Sequence, residues 1–377
     1  MRVLHLTAGN LYGGVEVLLA TLARFRRDCP EMEPHFCVCF EGRFSSEMRE
    51  NGIPVEVVGR ARTREFWTIW KARRRFRDVL IRDRYDVVIC HGAWNYAIFG
   101  PVARAADIPI VFWLHDPPPQ RMLWLERWAH RVAPDLVICN SHYTANGAPH
   151  FFPGVVKKVI YCAVAPRQSG STLPVDVTAV RADLDTASDA TVILQVSRLD
   201  PHKGHRVHLE ALAKLRDIPG WVCWQVAGPQ RPHEVRYLAE LKEFAASSGI
   251  RDRVHFLGWQ PDIGKLFAAA DIYCQPNVGP EPFGITFVEA LYDGLPVIAT
   301  AIGGPLEIVE PNCGVLVAPN DAASLAQELQ TLIQNGPLRK RLGRFGPARA
   351  EGLCSPRARL AELHETLRRI TSGRIAA

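Results

Sequence analysis

Two glutamates lie eight positions apart in the segment GPEPFGITFVEALYDG, which covers residues 279–294. Glu281 lies among prolines, which indicates a loop, whereas Glu289 lies in a run with helical spacing. On one continuous helix, residues eight apart project about 80° from each other, so they do not form one compact acid/base couple. A catalytic pair, a ligand clamp, and a plain helix cap with a solvated partner are the alternatives that this segment raises.

The residues between the glutamates indicate the start of a helix. Pro282 suits the first turn, and Phe283, Gly284 and Ile285 fall where backbone amides lack partners inside the helix. Such amides, together with the helix dipole, favour an anion. We expect the helix to bury one stripe, formed by Ile285, Val288, Leu291 and Tyr292.

Two cations follow the apolar segment TVILQV. Arg198 and Lys203 lie five positions apart across a turn, directly before another helical pattern. A rigid guanidinium and a mobile ammonium at a strand end suit a diphosphate, although two solvated loop cations are an alternative. Gly13 and Gly14 also precede a helical pattern, in a turn that could admit a phosphate.

Other candidates follow further strand-like segments. His91 and His115 each end such a segment, and two histidines at neighbouring strand ends are harder to explain as structural than one. Gly228 and Trp259 follow two later segments. There a flat ring could approach the backbone and the indole face, or Trp259 could instead pack in the core.

Short β-branched segments alternate with helical patterns in both halves of the chain, for example at 15–28, 65–84 and 121–133. This alternation predicts α/β architecture with parallel sheets covered on both faces. A polar segment near 165–185 divides the chain into an N-terminal domain, 1–165, and a C-terminal domain, 166–377. We expect two Rossmann-like domains facing each other across a cleft, with ligands at the carboxyl ends of the strands. The last helix is a candidate for crossing back to the N-terminal domain.

The composition is that of a soluble globular protein, with 377 residues, 47% apolar and 22% charged. No apolar run is long enough to span a bilayer, and the N-terminus lacks the pattern of a signal peptide, so we expect a cytoplasmic protein. The ten cysteines form no CxxC pair and lie mostly in apolar segments, which indicates reduced, buried thiols. Asp183 and Asp185 form a DxD tripeptide, but it does not follow a strand, and we expect no metal site.

Several motifs occur together in a fixed order: SRLDPHKG, VHFLGW, PEPFGITFVEALYDGLPVIA, and GGPLEIV followed by GVLVAPND. This ordered set resembles the family-4 (group 1) retaining glycosyltransferases of the GT-B fold, and the two glutamates match that family's E-x7-E signature. The resemblance covers nearly the whole chain and is strongest over 192–330. The first half adds GGVE, HG at 91–92, HD at 115–116 and NS at 140–141.

The resemblance implies a metal-independent, retaining hexosyltransferase without a required cofactor. Such an enzyme moves a sugar from a nucleotide-diphosphate sugar to a glycan or lipid-linked acceptor in cell-surface polysaccharide or glycolipid biosynthesis. Two departures from the family pattern are His202, where an acidic residue is common, and Pro305, directly after the Gly303-Gly304 pair.

The resemblance also implies roles for individual residues. Arg198 and Lys203 would hold the donor diphosphate, and Glu281 and Glu289 would bind the sugar and ribose hydroxyls. His115 would approach the transferred sugar and, with Glu281, Arg198 and Lys203, complete the catalytic set. Other donor-binding positions would be Gly13, Gly14, Gly228, Trp259, Phe283, Gly284 and Ile285, and acceptor-binding positions Gly14, His91 and Asn95.

Other functions of the same architecture are a nucleotide-sugar epimerase, a glycan phosphorylase and a catalytically silent nucleotide- or glycan-binding scaffold. Neither the length nor the motifs support the lysine-bound pyridoxal site of a phosphorylase. A silent scaffold would not need to keep Arg198, Lys203, Glu281 and Glu289 together.

The segment 60–84 carries ten of the lysines and arginines, and the net charge of +6 resides in residues 1–165. Its apolar residues recur at helical spacing and are expected to pack on the sheet: Phe66, Ile69, Trp70, Phe76, Val79 and Leu80. The cations would remain available for anionic lipid, which suggests a peripheral location on the inner leaflet of the plasma membrane. No module that binds nucleic acid is present.

Overall fold

The computed structural model describes residues 1–116, 123–148, 151–166 and 175–373. The chain divides into two compact units. One comprises Met1–Val164 together with Cys354–Ala377, and the other comprises Ala165–Leu353. The C-terminal segment is fixed to the first unit by a hydrogen bond from the Val164 amide to the Cys354 carbonyl (3.0 Å) and by an ion pair between Lys158 and Glu362 (3.0 Å).

The first unit contains a seven-stranded parallel sheet with the strand order β3-β2-β1-β4-β5-β6-β7. Strand β4 is buried along its whole length, as is typical of a sheet that is covered on both faces. The strands are β1 (Arg2–Thr7), β2 (Glu33–Val38), β3 (Val55–Val57), β4 (Val87–His91), β5 (Ile110–Leu114), β6 (Leu136–Cys139) and β7 (Lys157–Val159). The helices are α1 (Gly14–Arg24), α2 (Arg43–Glu50), α3 (Phe66–Asp83), α4 (Ala93–Ala105), α5 (Trp124–Ala129), α6 (His142–Gly147) and the C-terminal α15 (Pro356–Thr371).

The second unit contains a six-stranded parallel sheet with the order β10-β9-β8-β11-β12-β13. Its strands are β8 (Thr191–Val196), β9 (Trp221–Val226), β10 (Val254–Phe256), β11 (Ile272–Gln275), β12 (Val297–Thr300) and β13 (Gly314–Val317). Its helices are α7 (Val177–Asp183), α8 (His205–Lys214), α9 (Pro232–Ser247), α10 (Gly264–Ala269), α11 (Ile285–Tyr292), α12 (Pro305–Ile308), α13 (Ala322–Gln334) and α14 (Gly336–Cys354). The prediction of two Rossmann-like parallel-sheet units is therefore confirmed.

Each sheet has a point at which the strand order reverses. In the first unit it lies between β1 and β4, and in the second between β8 and β11. The loops that leave neighbouring strands there diverge to opposite faces of the sheet and open a crevice that is the usual ligand site of such sheets. The sequence candidates Gly13, His91, Arg198 and Glu281 all lie in or beside the loops that follow these four strands.

Two predicted helices are shorter than expected. The pattern at 15–28 yields α1 and a short 3₁₀ turn, Arg26–Asp28, and the pattern at 121–133 yields only Trp124–Ala129 in the described chain. After α5 the chain changes to tighter turns, in which the Arg131 amide donates to the Trp128 carbonyl and the Val132 amide to the Ala129 carbonyl.

The prediction for the aromatic residues of the basic segment is wrong in part. Helix α3 buries Ile69, Phe76, Val79 and Leu80 as expected, but Phe66 is 76% exposed and Trp70 is 60% exposed. A helix with 3.6 residues per turn presents one stripe to its sheet, and these two rings lie on the opposite side. Trp67 and Ile81 are exposed with them.

The cysteine prediction is confirmed, because all ten cysteines are buried and none forms a disulfide. Burial raises the pKa of the Cys139 and Cys223 thiols to about 12, so these thiols stay protonated and resist oxidation.

Candidate functional site

An ion pair joins the two loops at the reversal point of the second sheet. Lys203 Nζ lies 2.5 Å from Glu281 Oε2, and the side chains are only 17% and 12% exposed. The same carboxylate accepts hydrogen bonds from Asn277 Nδ2 at 2.9 Å and Gln275 Nε2 at 3.4 Å. A pair so deeply placed adds little net stability after desolvation, and it fixes the orientation of both charges at these strand ends.

Gln275 and Asn277 are site residues that the sequence interpretation missed. Gln275 ends β11, and its amide also donates to Asn277 Oδ1 at 2.9 Å. The carbonyl of Asn277 accepts from the Thr300 hydroxyl at 2.8 Å, which fixes the loop to β12. The available signal was the polar sequence QPN directly after the apolar strand IYC.

The segment with the two glutamates differs from its predicted form. Helix α11 begins at Ile285, and Gly284 caps it with φ of 105°, so Pro282 lies in the preceding loop and not in the first turn. That conformation requires glycine. The buried stripe is Phe287, Val288, Ala290 and Leu291, whereas Ile285 and Tyr292 are only partly buried.

Glu281 lies in an extended loop that pairs with the glycine loop after β12. It forms a parallel bridge with Gly303, and the Gly304 amide donates to its carbonyl at 2.7 Å. Phe283 is buried beside this bridge. Glu281 is therefore fixed through its backbone as well as its side chain.

Glu289 lies on α11 and acts on the same buried hydroxyl as Glu281. Burial raises the pKa of Tyr273, and the charges of Glu289 and Glu281 raise it further. Tyr273 in turn donates to Gln275 Oε1 at 2.8 Å. The charges of both carboxylates therefore act on one buried hydroxyl, although Glu281 lies in the loop before α11 and not on the same helix as Glu289.

The loop after β8 carries its two predicted cations in different environments. Arg198 is 58% exposed and lies 4.0 Å from Asp200, whereas Lys203 points inward to Glu281. Gly204 follows Lys203 with φ of 74°, and a Cβ there would run into the Pro276 carbonyl. The loops after β8 and β11 are thus in direct contact.

A buried polar network holds this loop from below, and the sequence interpretation did not find it. His205 binds the Gln225 side chain at 2.8 Å and the Arg198 carbonyl at 3.0 Å. Gln195 donates to the Lys203 carbonyl at 2.9 Å and contacts His208 Nδ1 at 2.7 Å. The sequence signal for this network is a glutamine at the fifth position of two otherwise apolar strands, TVILQV and WVCWQV.

Gly228 and Trp259 lie together. A Cβ at Gly228 would approach the Trp259 backbone nitrogen to 2.7 Å, and Trp259 is 59% exposed. The alternative of core packing for Trp259 is therefore wrong.

Asp183 ends α7 and Asp185 follows in a turn. Among the described residues, no three His, Cys, Asp or Glu side chains converge as metal ligands.

Gly13 caps α1 in the first unit, but its amide already has a partner. It donates to Glu16 Oε2 at 3.1 Å, and Thr7 donates to the other carboxylate oxygen at 3.2 Å. Gly14 is the first residue of the helix. Burial raises the pKa of Glu16, although these hydrogen bonds oppose that shift.

Three histidines form a buried row at the first reversal point. His91 Nε2 lies 3.0 Å from His5 Nδ1, and His91 Nδ1 lies 2.8 Å from His115 Nε2. Burial lowers the pKa of His5 and of His115 to about 3, and lowers that of His91 strongly, so all three are neutral at pH 7. Asn95 braces the row by donating to the His91 carbonyl at 2.6 Å. His5 was missed, because an isolated histidine in a strand carries no signal.

The two parallel sheets define an α/β protein whose candidate site residues lie at strand ends. Residues 176–349 match the family described as glycosyl transferases group 1, and residues 12–168 match glycosyltransferase family 4. The chain belongs to the group 1, family 4 glycosyltransferases.

One solved relative is similar along nearly the whole chain. It is HepE of Anabaena, crystallised with UDP and glucose, with a TM-score of 0.84 and 27% identity over 98% of this chain and 99% of HepE. This similarity confirms the GT-B fold.

Two curated relatives match over shorter regions. The lipopolysaccharide core biosynthesis glycosyltransferase LpsE of Rhizobium meliloti is 32% identical over 44% of this chain and 46% of its own length. The phosphatidyl-myo-inositol mannosyltransferase of Mycobacterium leprae is 28% identical over 61% of this chain and 66% of its own length. The chain thus spans about half to two-thirds of these relatives.

The buried histidines predict a loss of stability in mild acid. Above pH 6.5 they are neutral in the folded and unfolded states, whereas between pH 6.5 and about 3 only the unfolded chain binds their protons. The free energy of unfolding should therefore decrease as the pH is lowered from 6.5, by at most about 1.4 kcal/mol per histidine per pH unit. Urea unfolding at pH 7.5 and 5.5 measures this fall.

The variant His5→Phe should show a smaller fall, by about the share of one histidine. His233 is exposed on α9, so His233→Phe serves as a matched control that keeps the wild-type pH dependence. A wild-type unfolding midpoint that does not change between the two pH values would contradict the prediction.

Proposed function

We propose that this protein is a retaining glycosyltransferase that uses a nucleotide-diphosphate sugar and needs no metal. The observation that carries the proposal is the Lys203–Glu281 pair at the reversal point of the second sheet, in a chain of this family. Solved complexes of HepE contain UDP and UDP-glucose, so a uridine diphosphate sugar is the first donor to test.

The chemistry requires positive charge where the diphosphate leaves. As the bond between the anomeric carbon and the diphosphate oxygen breaks, negative charge develops on the phosphate. Lys203, the more exposed Arg198 and the amides at the start of α11 would stabilise this charge, because they are oriented before the reaction begins. The acceptor oxygen forms the new bond on the same face, and its proton passes to the departing phosphate. This division of labour leaves no step that requires a metal ion.

Glu281 has two tasks in this proposal. Its Oε2 holds Lys203 and accepts from Asn277, which keeps the ammonium directed to the site edge. The carboxylate can also accept from donor-sugar hydroxyl groups, as charge-assisted bonds that fix the sugar for transfer. Glu289, on the helix α11 that follows this loop, would bind the ribose hydroxyls.

The first unit would bind the acceptor. LpsE and the mycobacterial mannosyltransferase are named for lipopolysaccharide core and phosphatidyl-inositol substrates, which supports a glycan or lipid-linked acceptor here. Gly14 and His91 would contribute to its binding, and His115 would contact a substrate oxygen. Asn95 is assigned a supporting role, because its amide is committed to the His91 carbonyl.

A peripheral membrane contact through α3 is part of the proposal. Phe66, Trp67, Trp70 and Ile81 are exposed on one side of this helix. Arg74 lies over the Trp70 ring at 5.9 Å, so the outer face alternates aromatic and cationic groups. Aromatic rings with lysine and arginine around them are typical of helices that lie in a membrane interface.

The aromatic surface extends beyond α3. Arg73 stacks on Trp128 of α5, with 5.6 Å from its guanidinium carbon to the ring centre, and Trp128 stacks on the exposed Trp124. None of the helices within the described ranges has the length and apolar character needed to cross a bilayer. The proposed contact therefore lies in the headgroup region of an anionic leaflet.

A thermal-shift screen with UDP-, GDP- and ADP-sugars tests the function. We expect one nucleotide series to raise the melting temperature, since a ligand at a hundred times its Kd adds about 2.7 kcal/mol of stability. An epimerase would convert the donor sugar without an acceptor, and a silent scaffold would bind the nucleotide without turnover. Product analysis by mass spectrometry separates these outcomes, and no shift with any nucleotide would contradict the proposal.

The two glutamates should respond differently to substitution. Glu289→Ala should weaken nucleotide binding about tenfold, because it removes the ribose contact, which is a loss of roughly 1.4 kcal/mol. Glu281→Ala should mainly lower kcat, because Lys203 loses its orienting partner. Glu243 is exposed on α9, and Glu243→Ala is the control. An equal loss of donor affinity in both variants would refute the division.

Flotation with vesicles of phosphatidylglycerol and phosphatidylcholine tests the membrane contact. We expect binding that weakens with added salt and that falls at least tenfold in the double variant Arg74→Glu, Arg77→Glu, because each cation near an anionic surface contributes about 1 kcal/mol. Trp67→Ser with Trp70→Ser should also weaken binding. Phe345 is exposed on α14 of the other unit, and Phe345→Ser should bind as the wild type does. Equal flotation with neutral vesicles alone would refute the charge contribution.

A further inference from the structure

The three histidines of the first unit follow from the register of neighbouring strands. His5 on β1 is level with Phe36 on β2 and with Ile89 on β4, and His91 is level with Trp113 on β5. Residues that are level in a sheet share a face, and so do residues two apart on one strand. The row from His5 to His91 to His115 therefore rises by two residues per strand toward the carboxyl edge.

Close ring packing holds the row in place. The ring centres of His5 and His91 are 5.3 Å apart, and those of His91 and His115 are 5.1 Å apart. Phe36 stacks on His5 at 5.6 Å, and Trp113 stacks on both His91 and His115. These contacts leave the imidazoles little freedom to rotate, so only the position of each proton can vary.

The proton count restricts the row to two arrangements. Each neutral imidazole has one N–H, and both ring nitrogens of His91 face a histidine nitrogen. His91 must therefore donate at one nitrogen and accept at the other. The N–H bonds of all three rings then point either inward, toward His5, or outward, toward His115.

The inner end of the row decides between these arrangements. His5 Nε2 is buried and has no hydrogen-bond partner among the described residues. The inward arrangement would place an N–H at this nitrogen, and a buried N–H without an acceptor is rarer and less tolerable than an unpaired acceptor. In the outward arrangement, His5 Nδ1 donates to His91 Nε2, and His91 Nδ1 donates to His115 Nε2.

The outer end of the row agrees with this assignment. His115 Nε2 is occupied by His91, whereas His115 Nδ1 has no hydrogen bond to the described part of the chain. The outward arrangement places the single proton of His115 on this nitrogen. His115 then presents an N–H to an incoming ligand and not a lone pair.

We infer that His5 and His91 are positioning residues that fix His115 as its Nδ1–H tautomer, so that His115 donates a hydrogen bond to a substrate oxygen. This inference rests on the proposed function for the identity of the substrate. The row has a closed inner end, so it orients and polarises the donor without carrying a proton to solvent. A chain of aligned hydrogen bonds strengthens its terminal donor.

Two-bond ¹H–¹⁵N correlation spectra of the full chain, labelled with ¹⁵N-histidine, identify the tautomer directly. The signals of His115 are assigned through their loss in His115→Gln. We expect the proton of His115 on Nδ1 in the wild type. A proton on Nε2 would overturn the inference, whatever the activity of the protein.

Two variants of His91 test how the tautomer is set. His91→Phe keeps an aromatic ring between His5 and His115 but removes the N–H that donates to His115 Nε2, so no partner then fixes the proton of His115. We expect His115 to lose its single Nδ1–H form and to populate the Nε2–H form as well, and kcat to fall roughly ten- to a hundredfold, with little change in the donor KM. His91→Asn places an amide N–H near the position of Nδ1 and should restore much of both.

An unchanged tautomer and kcat in His91→Phe would overturn the inference. If this variant does not fold, the wild-type tautomer and the His91→Asn variant still decide the question. A protein that transfers no sugar from any nucleotide donor would refute the proposed function, while the spectrum would decide the tautomer independently.

Discussion

The ion pair between Lys203 and Glu281 ties together the two strand ends at which the second sheet reverses its order. Each partner is largely withdrawn from water, so neither charge is tolerable there without the other. The surrounding structure satisfies this demand. Asn277 and Gln275 donate hydrogen bonds to the Glu281 carboxylate, and Gln195 donates one to the Lys203 carbonyl. Gly303 has no side chain, which allows the backbone of Glu281 to lie directly against it.

The first unit solves a comparable problem without charge. Its reversal point is lined by His5, His91 and His115, which burial keeps neutral. A neutral polar row costs less to bury than an ion pair, but it has direction, because each N–H must find an acceptor. One unit therefore offers fixed charge at its strand ends, and the other offers an oriented hydrogen-bond donor.

The sequence predicted what depends on neighbours along the chain. Apolar β-branched runs indicated the buried strands, and the cations and glycines that follow them indicated the site loops, so Lys203 and Glu281 were found before their contact was visible. It did not predict what depends on partners across strands. His5, Gln195 and Gln225 each look like a single polar residue in an apolar run, and their meaning comes from register.

The errors in α3 and α11 have a related cause. Both helices contain more apolar residues than one buried stripe can hold, and spacing alone cannot choose which stripe faces the sheet. In α3, Ile69 and Phe76 are buried, whereas Phe66 and Trp70 are exposed to solvent. In α11, Gly284 caps the helix, so the helix begins at Ile285, after Pro282.

The carboxylate of Glu16 lies at the N-terminus of α1, the helix entrance at which a ligand phosphate could otherwise bind. It already accepts from the Gly13 amide and the Thr7 hydroxyl, which are the groups that a phosphate would otherwise use. A second phosphate arriving there would have to displace this carboxylate and overcome its repulsion. The entrance of α1 is thus occupied from within, whereas under the proposed function the entrance of α11 would receive the donor phosphate.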